Sequence, residues 1–535
     1  MKRLAAKTVA VMGVIVMLVM TAAVPASAIS AVPYDGYNYD PYGVATASPA
    51  GYLPDGLIDY TDMGLEKPLA SPEDLFVYDN VETGEKEIWI ADTKNSRIVQ
   101  LDQNYKYVTE YSVFTDETGK EWPLTEPQCV YVKRNEKEEG KGYDEIFVCC
   151  NVTVKDEAGK DKKAGYVVTA NREGKVKHTY TNPNNPIAEI KDFQPLAVVA
   201  DNSDYVYVLA YGVLEGLIVY HYESGEFSTF YGANKVVLTW RLLIEQTWKK
   251  IFSREAADTM IKAVPTEMSN IFIDDEGFIF TTTETATVEK ELRVRKLNAT
   301  GTNTLKGDEN ALVDVVFGER ETGVLTTGGS KTTIDTRLTD ITVGDDGVIA
   351  CLDAERGRVY LYDQTCMLLT AFGYKATGNI PDGAVSNPTA IAQMGSNYML
   401  LDASRGAIVT YRPTDYIYML LEANEYFTDG YYIAGESYWR NVLKYDANFS
   451  RGYAAIGKSL LEQHKYEEAL EWLKQGQDRT AYSLALAEYR KEYLRENYWW
   501  LLPVAVVCVV LFVMLIRFIQ KLLGIKRKAK RIKFS

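Results

Sequence analysis

A short unit that returns along the chain limits its fold more than any other feature. In the clearest copy, Ile88-Trp89-Ile90-Ala91-Asp92 leads through Thr93-Lys94-Asn95-Ser96 into Arg97-Ile98-Val99-Gln100-Leu101-Asp102. A second copy runs Ile349-Ala350-Cys351-Leu352-Asp353 and then Arg358-Val359-Tyr360-Leu361-Tyr362. A third runs Tyr398-Met399-Leu400-Leu401-Asp402 and then Ala407-Ile408-Val409-Thr410-Tyr411. Each copy is an apolar, β-branched and aromatic stretch, an Asp-led polar turn, and a second such stretch: strand, turn, strand. An upstream strand precedes each one, at Asp74–Val77, Asp340–Val343 and Thr389–Ala392, and a downstream strand follows, at Val108–Phe114, Met367–Phe372 and Tyr416–Leu421. Looser copies begin near Pro127, Pro195 and Thr266, with strands such as Glu145–Cys149, Tyr205–Leu209 and Phe278–Thr282. Six four-stranded units at this spacing predict a mainly β fold, a six-bladed β-propeller over residues 72–421.

The run Ile90-Ala91-Asp92-Thr93-x-Asn95-x-Arg97-Ile98 resembles the core of an NHL repeat, whose family fold is a β-propeller. The match is closest at Asp92 and Arg97 and looser at Asp353 and Arg358. It is weakest at Asp402, where Ala407 stands at the Arg position. Local physics accounts for these residues as structural: Asp caps the turn, and Arg bridges to a carboxylate or carbonyl across the strands.

The two ends bear on location. Lys2, Arg3 and Lys7, an apolar run from Val9 to Val24 and Ala26-Ser27-Ala28 read as a secretory signal peptide over residues 1–28, with an uncleaved anchor as the alternative. Near the other end, Trp499 to Ile516 is uncharged and long enough to cross a bilayer, and Tyr498, Trp499 and Trp500 suit its headgroup edge. A membrane helix over 498–523 and a basic cytoplasmic tail over 524–535 follow. Eight Lys and Arg with no acid lie beyond Ile516, and three lie in the signal region. With −15 overall, the residues between carry −26. That acidic exterior and the pI of about 5.0 exclude a nucleic-acid binder driven by a basic surface.

Three further segments are distinct. Residues 29–71 are expected to form a Tyr-rich extended strap; Tyr37, Tyr39 and Tyr42 in it could pack on the propeller or stack on a sugar face. Residues 238–264 place Trp240, Ile244, Trp248, Ile251 and Phe252 at helical spacing, an amphipathic insert that packs on the propeller or docks a partner. Residues 430–497 read as a short helical stalk. Within it, Tyr453-x2-Ile456-Gly457-x2-Leu460, Tyr466 and Ala469-x3-Leu473 resemble one tetratricopeptide unit, without its closing proline.

The chemistry is sparse. His178, His221 and His464 are scattered, and no zinc-protease, nucleophile-elbow, phosphate-loop or dinucleotide motif is present. Asp274-Asp275-Glu276-Gly277 and Asp345-Asp346-Gly347 read as hairpin turns because the calcium-loop spacing is missing. Of the six cysteines, Cys508 lies in the membrane run; the other five lack metal-ligand spacing and read as buried apolar residues, with one disulfide among them as the alternative. No catalytic or cofactor residues are identified. The order of segments, with Gly277-Phe278-Ile279-Phe280 and Lys296-Leu297-Asn298-Ala299-x-Gly301, resembles a group of Gram-positive bacterial surface proteins. That resemblance implies association with carbohydrate ABC transporter components, that is, transporter subunits or a solute-binding protein, and with carbohydrate itself. The expected function is therefore a membrane-anchored extracellular binding or scaffold module. The alternative is an extracellular propeller enzyme, a sugar lactonase or lyase, holding a divalent metal on its axis through Glu, Asn and Asp.

The charge asymmetry generates a topology prediction. Protease added to intact protoplasts is expected to remove the ectodomain and spare a tag on the tail; loss of the tag would reverse the orientation.

Overall fold

The computed structural model describes residues 36–135, 142–155, 161–183, 193–232, 268–284, 292–307, 313–321, 323–327, 330–376 and 380–523, with Tyr34, Ile190 and Gly378. The expected signal segment, the 238–264 insert with Trp240 and Trp248, and the basic tail lie outside the described residues. The chain forms two compact units, which divide after Met419.

The first unit is a six-bladed β-propeller. Blade 1 comprises Asp74–Asp79, Lys86–Asp92, Arg97–Asp102 and Tyr107–Tyr111, paired in that order as an antiparallel meander. Blade 2 uses Pro127–Asn135, Tyr143–Lys155, Asp161–Asn171 and Val176–Tyr180, and blade 3 uses Pro195–Ala200, Tyr205–Ala210, Leu217–His221 and Phe227–Tyr231. Among the described residues blade 4 has three strands, Asn270–Ile273, Ile279–Thr282 and Val294–Leu297, followed by a bridge from Leu297 to Asn303. Blade 5 is Leu338–Val343, Ile349–Asp353, Arg358–Tyr362 and Leu368–Phe372. The first strand of every blade is innermost, and each contacts the first strand of the next blade around the ring, blade 6 meeting blade 1.

The strands are nearly continuous in apolar residues because both faces of a blade are covered. In blade 1, Ile88 and Ile90 pack with Ala390, Met399 and Ile408 of blade 6. Their neighbours Trp89 and Ala91 face the other way, toward Val130, Ile146 and Val168 of blade 2. Alternate side chains of one strand thus fill two different inter-blade layers.

The closure of the ring corrects the sequence reading. Tyr416–Leu421 is not a strand; it lies in a helix, Asp415–Thr428. Blade 6 consists of Pro388–Met394, Asn397–Asp402 and Ala407–Pro413, and its fourth strand comes from the N-terminal region, Tyr52–Ile58. Tyr52 pairs with Pro413 and Ile58 with Ile408. The strap is therefore partly a blade element rather than an extended packing segment. Thr414 decides the fate of residue 416 onward: the Ile417 N–H donates to its hydroxyl at 3.4 Å and the Tyr418 N–H to its carbonyl at 3.2 Å, an N-cap that starts a helix where the side-chain pattern alone suggests a strand.

The second unit is helical. Helix α1 is the Asp415–Thr428 segment, which begins in the first unit; α2 is Tyr432–Tyr445, α3 Ser450–Glu462, α4 Tyr466–Gln475 and α5 Arg479–Leu522. Trp439 is fully buried and stacks on Phe449 at 5.9 Å. Helices α3 and α4 approach closely because Gly457 lies against Leu473, where a Cβ would come within 2.5 Å of Cγ. Helix α5 has 44 residues, about 66 Å at 1.5 Å per residue, and its C-terminal half is apolar and unburied. It is long and apolar enough to cross a membrane.

Replacing Tyr52 tests the closure. Its ring is buried against Phe372 at 4.6 Å and Tyr398 at 5.1 Å. Tyr52→Ala is expected to cost about 3–5 kcal/mol of stability in urea unfolding of the detergent-solubilised chain.

Candidate functional site

The six inner strands enclose a central channel of about 770 Å³. At one level, near the start of these strands, Asp74, Asn270 and Asp340 are placed equivalently on blades 1, 4 and 5. Each uses a side-chain oxygen to accept the N–H of the residue that follows it, at 2.7–2.9 Å. Each also reaches the next blade. Asp74 accepts from the Val130 N–H of blade 2 at 2.9 Å, Asn270 donates its amide to Asp340, and Asp340 accepts from the Ile391 N–H of blade 6 at 2.6 Å. These contacts lock neighbouring inner strands together.

Burial pushes both aspartates above their usual range. Asp340 is raised further by the charge on Asp74, while the Ile391 and Ile341 N–H groups and Asn270 pull it back. Asp74 is raised by burial and pulled back by the Val130 N–H, the Cys129 thiol and the Leu75 N–H. Cys129 stands opposite Cys149 across the first two strands of blade 2, and its hydrogen bond with Cys149, then burial and the charge on Asp74, push its thiol up.

Further along the channel, at the ends of the inner strands, the wall changes character. The turns after the first strands of blades 3, 4 and 5 bring Asp201, Asp275 and Asp345 to it. As expected, Asp274–Gly277 is a tight hairpin turn, with the Gly277 N–H on the Asp274 carbonyl at 3.0 Å and a positive φ at Gly277 that suits glycine. On the blade 2 side stands Glu145, only 1% exposed. Its Oε2 accepts from the Tyr222 hydroxyl and from Asn135 Nδ2 at 3.4 Å. Phe76, Tyr131 and Phe272 add aromatic surface, the first two in edge contact at 5.2 Å. Among the described residues no group of three or more His, Cys, Asp or Glu is arranged to hold a metal ion.

The repeat residues lie elsewhere and have local roles. Asp92, Asp353 and Asp402 each end a second strand and are fully buried. Each ties the connection arriving from the preceding blade onto its own turn: Asp92 accepts from Ala70 N, Asp353 from Arg337 N, and Asp402 from Ser386 N and Asn387 N, at 2.6–3.2 Å. Arg97 bridges to Asp92 at 2.7 Å. Arg358 does not make the equivalent bond; it reaches Glu319 at 3.1 Å, and Arg356 takes its place on Asp353.

The strap tyrosines divide. Tyr37–Tyr39 forms a small hairpin with Ala45–Ala47. The Tyr37 and Tyr39 hydroxyls both donate to Glu319, at 2.7 and 3.3 Å, and the two rings pack against the blade 4–5 layer. That geometry fits packing on the propeller, not a free stacking face. Tyr42 is 58% exposed. The sequence reading did not single out Asp74, Asn270, Asp340 or Glu145 as site residues. A usable signal was present for two of them, since the upstream strands at 74 and 340 both open on Asp followed by an apolar residue.

The raised Asp340 carries a pH prediction. A carboxyl that holds its proton more tightly when folded stabilises the fold below the unfolded pKa, near 3.8, and that contribution is lost as pH rises through the folded value. Unfolding free energy measured from pH 4 upward is expected to fall less steeply in Asp340→Asn than in the native chain; an unchanged slope would contradict the assignment.

No family model matches the chain, and no curated protein matches it. Solved structures similar to it include virginiamycin B lyase from Staphylococcus aureus, at 10% identity over 65% of this chain and 97% of that one, with a TM-score of 0.32. The major allergen Mala s 1 of Malassezia sympodialis is 11% identical over 68% of this chain and 96% of its own, with a TM-score of 0.37. BamB from Moraxella catarrhalis is 11% identical over 64% and 85%, with a TM-score of 0.28. The six-bladed architecture rests on the strand pairing itself, and at these scores the likenesses add nothing to it.

Proposed function

We propose that the chain is a membrane-anchored extracellular binding or scaffold module that works beside a carbohydrate ABC importer. The observation that carries this reading is the pairing of a closed propeller with a C-terminal helix long and apolar enough to span a bilayer. A propeller tethered at the membrane gains effective concentration toward a transporter subunit or its solute-binding protein without needing tight intrinsic affinity. The acidic stretch between the two basic ends supports an exported propeller with the tail in the cytoplasm. We further read the blades as NHL-type units and helices α3 and α4 as a tetratricopeptide-like pair in a short stalk. The locking roles of Asp74, Asn270 and Asp340 favour binding over catalysis, because these axial groups are engaged in holding the blades together. Of Tyr37, Tyr39 and Tyr42, it is Tyr42 that is exposed and offered to a partner; Trp240 and Trp248 stay candidates on sequence grounds.

Affinity purification of the tagged chain from native membranes in mild detergent tests the proposal. Importer subunits or a sugar-binding protein are expected in the eluate. Recovery of the chain alone, together with hydrolysis of a lactone or glycan by the purified protein, would overturn it in favour of the enzyme.

A further inference from the structure

The central channel has a recognition chemistry that the proposed scaffold role does not require. Nine carboxyl groups and three basic side chains line it; with Asp74 and Asp340 taken up in holding the blades, seven acids remain. The cations are engaged: Lys86 pairs with Asp79, Lys133 donates to the Asp201 carbonyl, and Arg134 bonds Glu82 and Asp144. Lys133 stands directly opposite Glu145 across the strand pair, yet the Glu145 Oε1 atom is buried with no hydrogen-bond partner. A carboxylate oxygen held out of water without a donor is costly. A second buried oxygen on the channel wall, Gln393 Oε1, also has no partner. Among the described residues both unsatisfied lining atoms are acceptors, so the missing groups are donors.

Charge and shape narrow the occupant. An acid excess along a concave wall concentrates cations. The acids are spread over the turns of several blades and do not converge into a metal-ligand group among the described residues. A dispersed field suits an extended organic cation better than a point charge. Aromatic faces at Phe76, Tyr131 and Phe272 attract alkylammonium groups and give poor support to an anion. We infer that the channel binds an organic polycation, a chain carrying two or more alkylammonium groups, with one ammonium donating to Glu145 Oε1. The site stands whether or not the chain works beside an importer.

Isothermal titration of the detergent-solubilised full chain with spermidine at low ionic strength tests the inference. Saturable binding is expected, weakened at least tenfold in Glu145→Gln, with no heat from maltose under the same conditions. Asp275→Asn alters an exposed turn residue at the channel and is expected to weaken binding two- to threefold with unfolding unchanged, which keeps the test decisive if the Glu145 variant folds poorly. Absence of spermidine binding would overturn the inference. So would binding indifferent to both substitutions, equal binding of maltose, or displacement of spermidine by stoichiometric calcium. None of these results bears on whether importer subunits co-purify.

Discussion

The pairing of Tyr52–Ile58 with Ala407–Pro413 is the interaction on which the rest of the propeller depends. A ring of blades has a seam wherever the chain begins and ends, and a three-stranded last blade would leave a ladder of unpaired N–H and C=O groups there. Here an N-terminal strand crosses the seam, so the two ends of the propeller sequence are joined by a β-ladder. Inside the ring, Asp74, Asn270 and Asp340 repeat the same logic on a smaller scale, binding the inner strands of blades 1, 4 and 5 to those of blades 2, 5 and 6. The channel keeps its shape because both sets of contacts oppose opening of the blades.

The apolar strands were legible in the sequence because their period and turn chemistry agree. At Ile88-Trp89-Ile90-Ala91-Asp92 the run, its Asp and the following turn all point to one structure, and the fold follows it. The closing strand was illegible for a physical reason. Tyr52-Leu53-Pro54-Asp55-Gly56-Leu57-Ile58 contains Pro, Asp and Gly, residues that argue against a strand. They are tolerated because this is the outer edge of blade 6, where half the backbone groups need no partner and a register shift between Pro54 and Gly56 absorbs the irregularity. Tyr416–Leu421 misleads in the opposite direction: its side chains suit a strand, but Thr414 caps a helix ahead of them.

The candidate site was harder to read than the fold. Asp74, Asn270 and Asp340 lie on three blades and up to 266 positions apart, and only the closed ring sets them at one level. Glu145 follows Asp144 and precedes the apolar run Ile146–Cys150, so nothing in its local pattern separates it from a solvent-facing acid at the start of a strand. The Asp of each repeat, the most conspicuous polar residue in the sequence, turned out to hold turns and connections. In a propeller the repeated residues build the blades, and the residues that differ from blade to blade give the axis its chemistry.

Closure of the propeller is decided at the seam. Amide hydrogen exchange measured by mass spectrometry on the full chain reads it directly. If the ring is closed as described, the amides of residues 52–58 that face the 407–413 strand are protected, those that face outward exchange fast, and the protected set loses its protection together with 407–413 as denaturant is added. Fast exchange at every amide of 52–58 beside slow exchange at 407–413 would show an open last blade.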